Sequence, residues 1–385
     1  KTHTLSGRED AAMQNAQVVI IGGGIQGLSL AYHLARRGLT DVCLVEADTL
    51  GSGSSGKSAA VIGLALQSEA CLPLTHASLA ALLRFEDELG ASPDYVPIGC
   101  LILARPHSVR WLRQRYTRLQ TMGIECSLVA ADEVERFTPG LNLKEIEIGL
   151  YLPEEGVLDP HCMMMAYAAQ ARQRGVRILE GVTATGLVTR ADRVQGVTTT
   201  SGTIASEWVV NAAGNRAQEV ATWAGLDLPL ILIKRHIVVT GPVPTYAEPI
   251  PFTYEMDPTW YMRREGPGLL LGMGSAEIES LDDNVDADAI ERLIDYSIDR
   301  APALEQAGLM TSWAGLRPVT PDDDPILGRI PHLRGYINDC GWGGHGVMHA
   351  PAAGMALAEL IAEGESTAID LRPYHADRFS QTSAT

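Results

Sequence analysis

A glycine-rich turn close to the N-terminus constrains the fold of this chain more than any other stretch. Its frame is Gly22-x-Gly24-x-x-Gly27, between an apolar run at residues 17–21 and a helical pattern at residues 28–37. In such a strand–turn–helix, the first glycine permits the sharp turn and the second lets backbone approach a pyrophosphate. The third lets helix pack against strand, and the phosphates lie at the positive helix N-terminus. The frame predicts a dinucleotide-binding unit, with an ordinary βαβ turn as the alternative.

The sequence after this turn favours dinucleotide binding. A second apolar strand, Val42–Val45, ends in Glu46, and an acid about 20 residues beyond the glycines is the group that binds a ribose hydroxyl. The longest uncharged run, Ala16–Ala35, has the length of a membrane span. Its glycine frame and its polar residues, such as Gln26 and His33, favour instead a buried strand–turn–helix. We therefore expect no transmembrane segment, and a loose peripheral membrane contact stays open.

Composition limits the class of protein and its partners. The 385 residues suffice for two domains, and 46% hydrophobic with 20% charged residues are typical of a globular protein. A net charge of −17 argues against nucleic acid or an anionic membrane as a general partner. Six scattered cysteines form no CxxC pair, so we expect no metal site, no disulfide framework and a reducing, cytoplasmic compartment. Residues 1–14 carry no apolar signal segment. We expect residues 1–14 and 375–385 to be flexible tails.

A segment rich in glycine and serine, residues 51–60, follows the second strand and carries one cation. Hydroxyls and backbone N–H groups in such a loop can wrap a phosphate or the polar edge of a ring. A solvated linker is the alternative, but a linker would not lead straight into the apolar run at residues 61–66. We therefore expect cofactor contacts from Ser54, Ser55, Gly56, Lys57, Ser58, Ala59 and Ala60.

Periodic segments further along the chain predict alternating helices and strands. Helical patterns cover residues 74–90, 107–122, 161–174 and 289–300. The third of these helices has Asp159 as its N-cap and Gly175 as its stop. Because α/β sequence resumes well after the first βα unit, we predict an α/β (α+β overall) fold. It has a discontinuous Rossmann-like, dinucleotide-binding domain and an interleaved substrate domain on a mixed β-sheet. The first domain comprises residues 16–90, 150–225 and 311–370, and the second comprises residues 91–149 and 226–310.

An acidic segment at residues 282–288 precedes the helix predicted at residues 289–300. Its carboxylates suit the positive end of a helix dipole. A calcium-binding loop is the alternative, but the spacing and the terminal glutamate of such a loop are absent. The segment therefore predicts a stabilised helix N-terminus.

Two blocks near the C-terminus carry the densest motifs. The first reads GLRPVTPD from Gly315, and the second reads GWGGHGVMHAPAAG from Gly341 and continues as a helix to about residue 362. A helix N-terminus directed at a flavin would stabilise negative charge at the N1/O2 edge of the reduced ring, and His345 could add a donor there. A histidine satisfied within its glycine turn is the alternative.

Together these motifs resemble those of the glycine oxidase, sarcosine oxidase and D-amino acid oxidase group of FAD-dependent amine oxidoreductases. The resemblance covers residues 16–365 and also includes the Asn-Ala-Ala-Gly turn at 211–214. It implies oxidation of the C–N bond of an amino acid or N-methyl amino acid by hydride transfer to flavin N5, giving an imine that hydrolyses. The implied FAD contacts are Gly22, Gly24, Ile25, Gln26, Gly27, Glu46, Ala47, Ser54, Ser55, Gly56, Lys57, Ser58, Ala59, Ala60, Val182, Ala212, Ala213, Gly214, Gly315, Arg317, Gly343, Gly344, His345, Gly346, Val347 and Met348.

The resemblance also implies a substrate site. Arg317 matches the arginine that grips the substrate carboxylate in glycine oxidase and D-amino acid oxidase, and a guanidinium fork suits a carboxylate. An ion pair with the acids at residues 322–324 is the alternative. Tyr261 and Arg263, on one predicted strand, and His345 are further candidates. No strong protein base is needed if the amine arrives neutral, because positioning in a dry cavity carries most of the rate.

Departures from the family pattern leave mechanistic alternatives open. Gly315 stands where monomeric sarcosine oxidases attach FAD to a cysteine, so we expect non-covalent FAD. The chain has no lysine after Lys234, which removes the lysine with which those enzymes activate oxygen. Met348 replaces their second, carboxylate-anchoring lysine. Oxidase and dehydrogenase activity therefore both stay open, with oxygen or a quinone-like compound as electron acceptor.

One stretch is closer to the β subunits of multi-subunit sarcosine oxidases. The run CGWG at residues 340–343 matches those subunits, and His161 lies near the position where they attach FMN. This similarity leaves open partner subunits or a homo-oligomer, a flavin-carrying subunit that relays electrons, and a hydroxy-acid dehydrogenase on the same fold.

Overall fold

The described residues of the chain, 14–274 and 276–379 in a computed structural model, form nineteen strands and eight helices. The strands are β1 Gln14–Ile21, β2 Val42–Val45, β3 Val61–Ile62, β4 Cys100–Ala104, β5 Ser127–Ala130, β6 Ile148–Leu152, β7 Gly156–Val157, β8 Arg177–Leu179, β9 Ala184–Arg190, β10 Arg193–Thr199, β11 Gly202–Asn211, β12 Ile231–Thr240, β13 Phe252–Glu255, β14 Trp260–Glu265, β15 Gly268–Gly272, β16 Ala276–Ile278, β17 Leu309–Val319, β18 Ile326–Arg329 and β19 Tyr336–Cys340. The helices are α1 Ile25–Arg36, α2 Leu72–Leu82, α3 Phe85–Leu89, α4 Val109–Thr121, α5 Pro160–Gln173, α6 Ala217–Trp223, α7 Ala287–Arg300 and α8 Gly346–Glu363.

One mixed sheet carries the glycine-rich turn. Its order is β18-β19-β11-β1-β2-β8, with β10 and β9 attached in turn to β11. The central strands β19, β11, β1, β2 and β8 run parallel. Side chains of β1 are buried on both faces, since Val18 and Ile20 join one apolar cluster while Val19 and Ile21 join another. Burial on both faces is typical of parallel strands covered by helices.

A second mixed sheet of nine strands has the order β16-β12-β15-β14-β13-β4-β6-β5, with β17 paired to β12. The chain passes between the two sheets several times, because β4–β6 and β12–β17 interrupt the strands of the first sheet. This alternation confirms the predicted fold class, a Rossmann-like sheet with an interleaved unit on a mixed sheet. A short pair, β3 with β7, forms a third sheet.

Helix packing closes one face of the first sheet. Within it, α1 lies against α8, where Ser29 Oγ donates to the carbonyl of Ala350 at 2.6 Å and Gln26 Nε2 donates to the carbonyl of Gly346 at 2.8 Å. The rings of Tyr32 in α1 and Tyr167 in α5 lie 5.4 Å apart. Residues close to the two ends of the chain thus hold the same layer together.

Strand β17 corrects one predicted domain boundary. It belongs to the second sheet, where it pairs with β12 along its length, from Val319 opposite Ile231 to Leu309 opposite Thr240. The sequence analysis placed residues from 311 onward in the dinucleotide-binding domain. The reason for the difference is that sheet membership depends on pairing with a distant strand and leaves no local pattern. The predicted boundary at residue 150 likewise falls inside β6 of the second sheet.

The helix predicted at residues 74–90 is two helices, α2 and α3. After α2 the backbone tightens, with the Arg84 N–H donating to the carbonyl of Ala81 at 3.1 Å. This change of direction buries Phe85 and Leu89 on the short α3, which ends at Gly90 in the left-handed conformation, φ +70°. Helical periodicity continues across the break, which is why the sequence pattern suggested one helix.

The predicted N-cap of α5 is confirmed, and the acidic segment precedes the N-terminus of α7, as expected. Asp159 Oδ1 accepts from the N–H groups of His161 and Cys162 at the start of α5. In the acidic segment, Asp286 caps α7, while Asp282 pairs with Lys234 at 2.9 Å and Asp283 pairs with Lys57. The acids of this segment thus serve a helix terminus and two lysines.

The predicted tails lie largely outside the described residues. Gln14 already begins β1, so the first strand starts earlier than expected. Residues 376–379 form a helical turn rather than a free tail, and Arg378 pairs with Asp322 at 2.8 Å. In the part of the chain that the structure describes, all six cysteines are unpaired. No helix in that part is long and apolar enough to cross a bilayer.

Candidate active site

The glycine-rich turn joins β1 to α1 in the geometry that its sequence predicts. Gly22 has φ +116°, and a Cβ there would stand 2.2 Å from the carbonyl oxygen of Ala212. A Cβ on Gly27 would stand 2.1 Å from the oxygen of Gly22, so the helix packs directly on the turn. Glu46 Oε2 accepts from the N–H of Gly23 at 2.7 Å. The acid at the end of β2 therefore also holds the turn in place.

A first cavity, of about 420 Å³, runs along this turn. It passes between the N-terminal ends of α1 and α8, where helix dipoles favour a phosphate or another negative group. Most predicted cofactor contacts line it: Gly22, Gly24, Ile25, Gln26, Glu46, Ala47, Ser54, Ser55, Lys57, Ser58, Ala212, Ala213, Gly214, Gly315, Arg317, Gly343, Gly344, Gly346 and Val347. Of the predicted cofactor residues, Gly27, Gly56 and Val182 line neither this cavity nor the second one described below. Gly27 and Gly56 instead permit close backbone packing, and the N–H of Val182 donates to the carbonyl of Glu46 at 2.9 Å.

Two buried acceptors in the first cavity lack a partner among the described residues. Gln26 Oε1 and Asp339 Oδ2 are both inaccessible to water and form no hydrogen bond there. The other oxygen of Asp339 accepts from Trp342 Nε1 at 2.9 Å, and burial raises the pKa of the Asp339 carboxyl to about 7. Unsatisfied buried acceptors are costly, so this pair suits hydroxyl donors of a ligand such as the polyol chain of FAD. The residues present therefore fit a flavin dinucleotide.

A second cavity, also of about 420 Å³, opens beside the first. Ser58, Arg235, Arg317 and Gly344 line both cavities, so the two spaces are contiguous. The predicted residues that line the second cavity are Ser58, Ala59, Ala60, Tyr261, Arg317, Gly344, His345 and Met348. It lies against the second sheet, and its walls include aromatic side chains from β13 and β14. A compact substrate would fit between these walls and the cofactor loop.

Arg317 lies where the two cavities meet. A Cβ on Gly344 would stand 2.6 Å from Arg317 Nη1, so the guanidinium needs a glycine at the start of α8. Burial and the charge of Arg235 lower the pKa of Arg317 to about 10, which leaves it charged at neutral pH. The ion pair proposed as an alternative is not formed in the described residues. Asp322 pairs with Arg378, Asp324 accepts from Cys71 Sγ, and Asp323 acts on Arg317 only as a nearby negative charge that opposes the lowering of its pKa. Within residues 14–274 and 276–379, the Arg317 side chain forms no hydrogen bond or ion pair.

His345 lines the second cavity immediately before α8. Its ring forms no hydrogen bond with another described residue, so the structure does not satisfy it within its own turn. Burial lowers the pKa of His345, which keeps the imidazole neutral near pH 7. His349, one turn along α8, lies 6.2 Å away between ring centroids and shares a hydrogen bond of 2.7 Å with Thr75 Oγ1. His345 can therefore present an uncharged donor or acceptor to the cavity.

Tyr261 and Arg263 differ in placement although both lie on β14. The Tyr261 ring lines the second cavity, and its buried hydroxyl has no partner in the described part of the chain. Arg263 lines neither cavity: its Nε donates to the carbonyl of Ala59 at 3.1 Å, and its Nη1 pairs with Glu265 at 2.6 Å. Arg263 lies two residues beyond Tyr261 on the same strand, at the edge of the site. It supports the cofactor loop, and the structure does not place it against a substrate.

Several polar residues of the two cavities were not predicted from the sequence, among them Asp339, Tyr254 and Glu155. Tyr254 lies on the same face of β13 as Phe252, so recognition of that strand would have found it. Asp339 stands immediately before the block that begins at Cys340, but nothing in the sequence distinguishes its carboxylate from a solvated one. Glu155 lies in a turn-rich segment, where an acid is ordinarily exposed, yet it is only 2% exposed. Burial of the last two is a tertiary property without a local signal.

Positions for covalent flavin attachment are absent from the first cavity as far as the structure describes it. Gly315 lines it without a side chain, and no cysteine does. His161, near the FMN-attachment position of the sarcosine oxidase β subunits, is exposed at the start of α5 and lines neither cavity.

A dinucleotide cavity beside a substrate-sized cavity, with a half-buried arginine where they meet, is typical of flavin-binding oxidoreductases built on two sheets. The FAD-dependent oxidoreductase (DAO) family model matches residues 17–360, and the chain belongs to that family. FAD is therefore its cofactor.

Relatives within the family support this membership. The chain is 30% identical over 398 residues to mitochondrial dimethylglycine dehydrogenase of Rattus norvegicus, covering 96% of this chain and 46% of that protein. It is 30% identical over 386 residues to mitochondrial sarcosine dehydrogenase of Homo sapiens, covering 94% and 41%. It is 27% identical over 374 residues to sarcosine oxidase subunit beta of an Arthrobacter species, covering 94% and 90%. The chain thus spans less than half of the two mitochondrial relatives.

Solved structures agree with the fold. L-proline dehydrogenase from P. horikoshii has a TM-score of 0.88 at 28% identity, covering 96% of this chain and 99% of that one. Glycine oxidase from Geobacillus kaustophilus has a TM-score of 0.86 at 27% identity, covering 95% and 99%. The interleaved two-sheet architecture is therefore that of the family.

Proposed function

We propose that the chain oxidises the C–N bond of an amino acid or N-methyl amino acid, which yields an imine that water hydrolyses. One observation carries this proposal: the Arg317 guanidinium is charged, half-buried between the two cavities and without a hydrogen bond or ion pair in the described residues. A cation placed in this way can receive an anion, and a guanidinium binds a carboxylate through two parallel hydrogen bonds. The names of the relatives, which include dehydrogenases and oxidases of small amino acids, support the same substrate class.

The chain's own residues supply positioning in this proposal. The chemistry that bound FAD supplies is acceptance of a hydride equivalent from the carbon next to the nitrogen. Arg317 orients the substrate by its carboxylate, and the aromatic side chains of Tyr254 and Tyr261 exclude water from the second cavity. The neutral ring of His345 offers a hydrogen bond without adding positive charge. Orientation and exclusion of water account for most of the rate enhancement in this type of site.

We further propose that FAD is bound without a covalent link and that the protein works in a reducing, cytoplasmic compartment. The missing side chain at Gly315 supports the first part, and the six unpaired cysteines suit the second. Oxygen or a quinone-like compound takes up the electrons. The relative named sarcosine oxidase subunit beta supports partner subunits as a possible arrangement.

The test is an anaerobic screen of the FAD-loaded protein against amines, amino acids and hydroxy acids, followed by reoxidation with oxygen or a quinone-like dye. We expect N-methyl or unsubstituted amino acids to bleach the flavin absorbance. For the best substrate, Arg317→Ala should lower kcat/KM roughly 30-fold to several thousand-fold. This corresponds to a loss of about 2–5 kcal/mol of transition-state stabilisation. Arg317→Lys should recover part of this loss, since a lysine keeps the charge but not the fork.

The matched control is Arg334→Ala, which removes an exposed arginine paired with Asp192 far from both cavities. It should leave kcat/KM unchanged. An Arg317→Ala protein with the kcat/KM of the wild type would contradict the assigned role. Failure of every amine to bleach the flavin, together with co-purifying subunits, would contradict the proposed activity and favour an electron-relay subunit.

A further inference from the structure

The second cavity contains a buried carboxylate that the proposed mechanism does not use. Two acids line this cavity, and they differ in environment: Asp323 is exposed, whereas Glu155 is 2% exposed. Glu155 lies in the turn between β6 and β7, next to the start of β4. A carboxylate removed from water at a substrate-sized cavity requires an explanation, because its burial is costly without a partner.

The protein satisfies only one oxygen of Glu155. Oε1 accepts from the N–H of Leu64 at 2.5 Å, and the N–H of Ala65 also stabilises the carboxylate. Oε2 is buried and has no hydrogen-bond partner in the described residues. A Cβ on Gly63 would stand 2.8 Å from Oε2, and Gly63 itself lines the cavity. Because Gly63 has no side chain, no Cβ crowds the free oxygen at this wall of the cavity.

No cation of the described protein compensates Glu155. Burial raises the pKa of Glu155 to about 7, and only hydrogen bonds from two backbone N–H groups and Cys100 oppose the effect. The other titratable groups that interact with it are Tyr95 and Cys126, and Glu155 contributes to the raised pKa values of both. The cations that line the same cavity are Arg235 and Arg317. The second cavity thus contains a cation that can bind an anionic group, Arg317, and a carboxylate oxygen without a hydrogen-bond donor in the described residues, Glu155 Oε2.

We propose, on the basis of the function proposed above, that Glu155 determines specificity by receiving a protonated nitrogen of the substrate at Oε2. The cavity then selects zwitterions, with the carboxylate at Arg317 and the nitrogen at Glu155. A plain carboxylic acid leaves the Glu155 oxygen unpaired, and rejection of a ligand that lacks the expected donor is strong when the site's polar group is buried. The nitrogen is either a second nitrogen on the side chain or the α-nitrogen. In the second case the α-ammonium passes its proton to Glu155 Oε2 before the hydride leaves the neighbouring carbon, because only a neutral amine can be oxidised to the imine.

A purely structural role predicts a different outcome. Glu155 also holds the backbone at Leu64 and Ala65, and its loss could simply disturb that loop. Glu155→Gln separates the two roles, because the amide oxygen still accepts from the loop N–H groups while the negative charge is lost. Gly63→Ala provides a second variant, which keeps the carboxylate but fills the space in front of Oε2. The control is Glu154→Gln, which makes the same change at the exposed neighbouring residue.

The experiment measures equilibrium Kd values by isothermal titration calorimetry on anaerobic protein whose FAD has first been reduced with dithionite, so that no ligand is oxidised. The ligands are amino acids and their analogues that lack the amino group. We expect Glu155→Gln and Gly63→Ala to weaken binding of the zwitterions roughly tenfold or more, with less than about twofold change for the analogues without nitrogen. Glu154→Gln should bind both like the wild type. In wild-type protein, zwitterion binding should strengthen as pH rises through about 7, and Glu155→Gln should lose this pH dependence.

The ligand panel distinguishes the two nitrogens. A loss shared by glycine, N-methylglycine and diamino acids assigns Glu155 to the α-nitrogen, and a loss confined to diamino acids assigns it to a side-chain nitrogen. Equal effects on ligands with and without nitrogen, or no effect, would overturn the proposal. Because binding is measured without turnover, failure of amines to reduce the flavin would reject the proposed activity alone.

Discussion

Gly22 makes two demands that only glycine meets. Its φ of +116° lies in a region that side chains rarely adopt, and a Cβ would stand 2.2 Å from the backbone oxygen of Ala212. Neither conflict can be relieved by a side-chain rotation, because the neighbouring atom belongs to the turn after β11. The turn after β1 and the turn after β11 can therefore lie this close together only if residue 22 is a glycine.

Gly22→Ala should lower the free energy of unfolding by about 1–3 kcal/mol and weaken FAD binding, because strain and overlap both act at the cavity wall. Urea unfolding of the apoprotein and FAD titration measure the two effects. Gly308→Ala is the matched control, since a Cβ there meets no atom within 4 Å and lies in neither cavity. An unchanged unfolding free energy for Gly22→Ala would show that the turn can shift.

Individual residues were predictable where a motif fixes their chemistry. Gly22, Gly24 and Arg317 stand in dense motif blocks, and all three line the cavities. Glu155 was not predictable, because its burial depends on β4 and on residues 63–65, which are distant in sequence. Arg263 was predicted for the substrate site but contacts Ala59 and Glu265. The alternation of residues along a strand predicts which face of the sheet a side chain lies on, but it does not predict how far along the strand the cavity extends.

At the scale of the element, α7 shows how an acidic segment is used. Asp286 Oδ1 accepts from the N–H groups of Asp288 and Ala289 at 2.9 and 3.3 Å, which satisfies two of the free donors at the helix start. The helix then buries Ile290 and Leu293 against the second sheet. A cap is therefore part of what positions this helix on the substrate domain.

Asp286→Ala should lower the unfolding free energy by about 1 kcal/mol, the typical cost of losing an N-cap side chain. Asp286→Ser should restore most of the loss. Asp295→Ala, which removes an equal charge from an exposed mid-helix position, should be neutral or slightly stabilising, because alanine favours a helix more than aspartate does. Chemical denaturation of the three variants measures these differences. A loss of equal size in Asp295→Ala would attribute the effect to charge and not to capping.

Elements were predictable where local signals are strong. The βαβ turn and the caps at Asp159 and Asp286 follow from short-range hydrogen bonding. Two features were not predictable from the sequence. The break between α2 and α3 depends on packing, and the sheet to which β17 belongs depends on its pairing with β12. Strand β17 carries Arg317, so the misplaced boundary is also the one that decides to which sheet Arg317 belongs.

At the scale of the whole molecule, the packing of α1 with α5 and α8 buries the side chain of His33. It is 8% exposed, its ring lies 6.1 Å from that of Tyr167, and its Nε2 has no partner among the described residues. Burial, followed by the charges of Arg36 and Arg37, lowers the pKa of His33 to about 3. The folded protein therefore holds the His33 imidazole in its neutral form at neutral pH.

Stability should fall as pH drops below the ordinary histidine pKa of about 6.5, because the unfolded chain then binds a proton that the folded chain rejects. The contribution of His33 is fully present above pH 6.5 and is lost toward pH 3, by about 2 kcal/mol between pH 7.5 and pH 5. His33→Phe should remove this part of the pH dependence in urea unfolding. His76→Phe, at an exposed position, should retain it. The same dependence in both variants would assign it to other groups.

The helix pair α1 and α8 also has a consequence for biosynthesis. Ser29 bonds to Ala350 and Gln26 bonds to Gly346, across 321 and 320 residues of chain. At a synthesis rate of about 5–20 residues per second, the first helix waits roughly 15–60 s for its partner. During that interval its apolar face lacks α8, and the first cavity, lined by both Gly22 and Gly346, lacks one wall. We therefore expect stable FAD binding to require that α8 has been synthesised and has packed on α1.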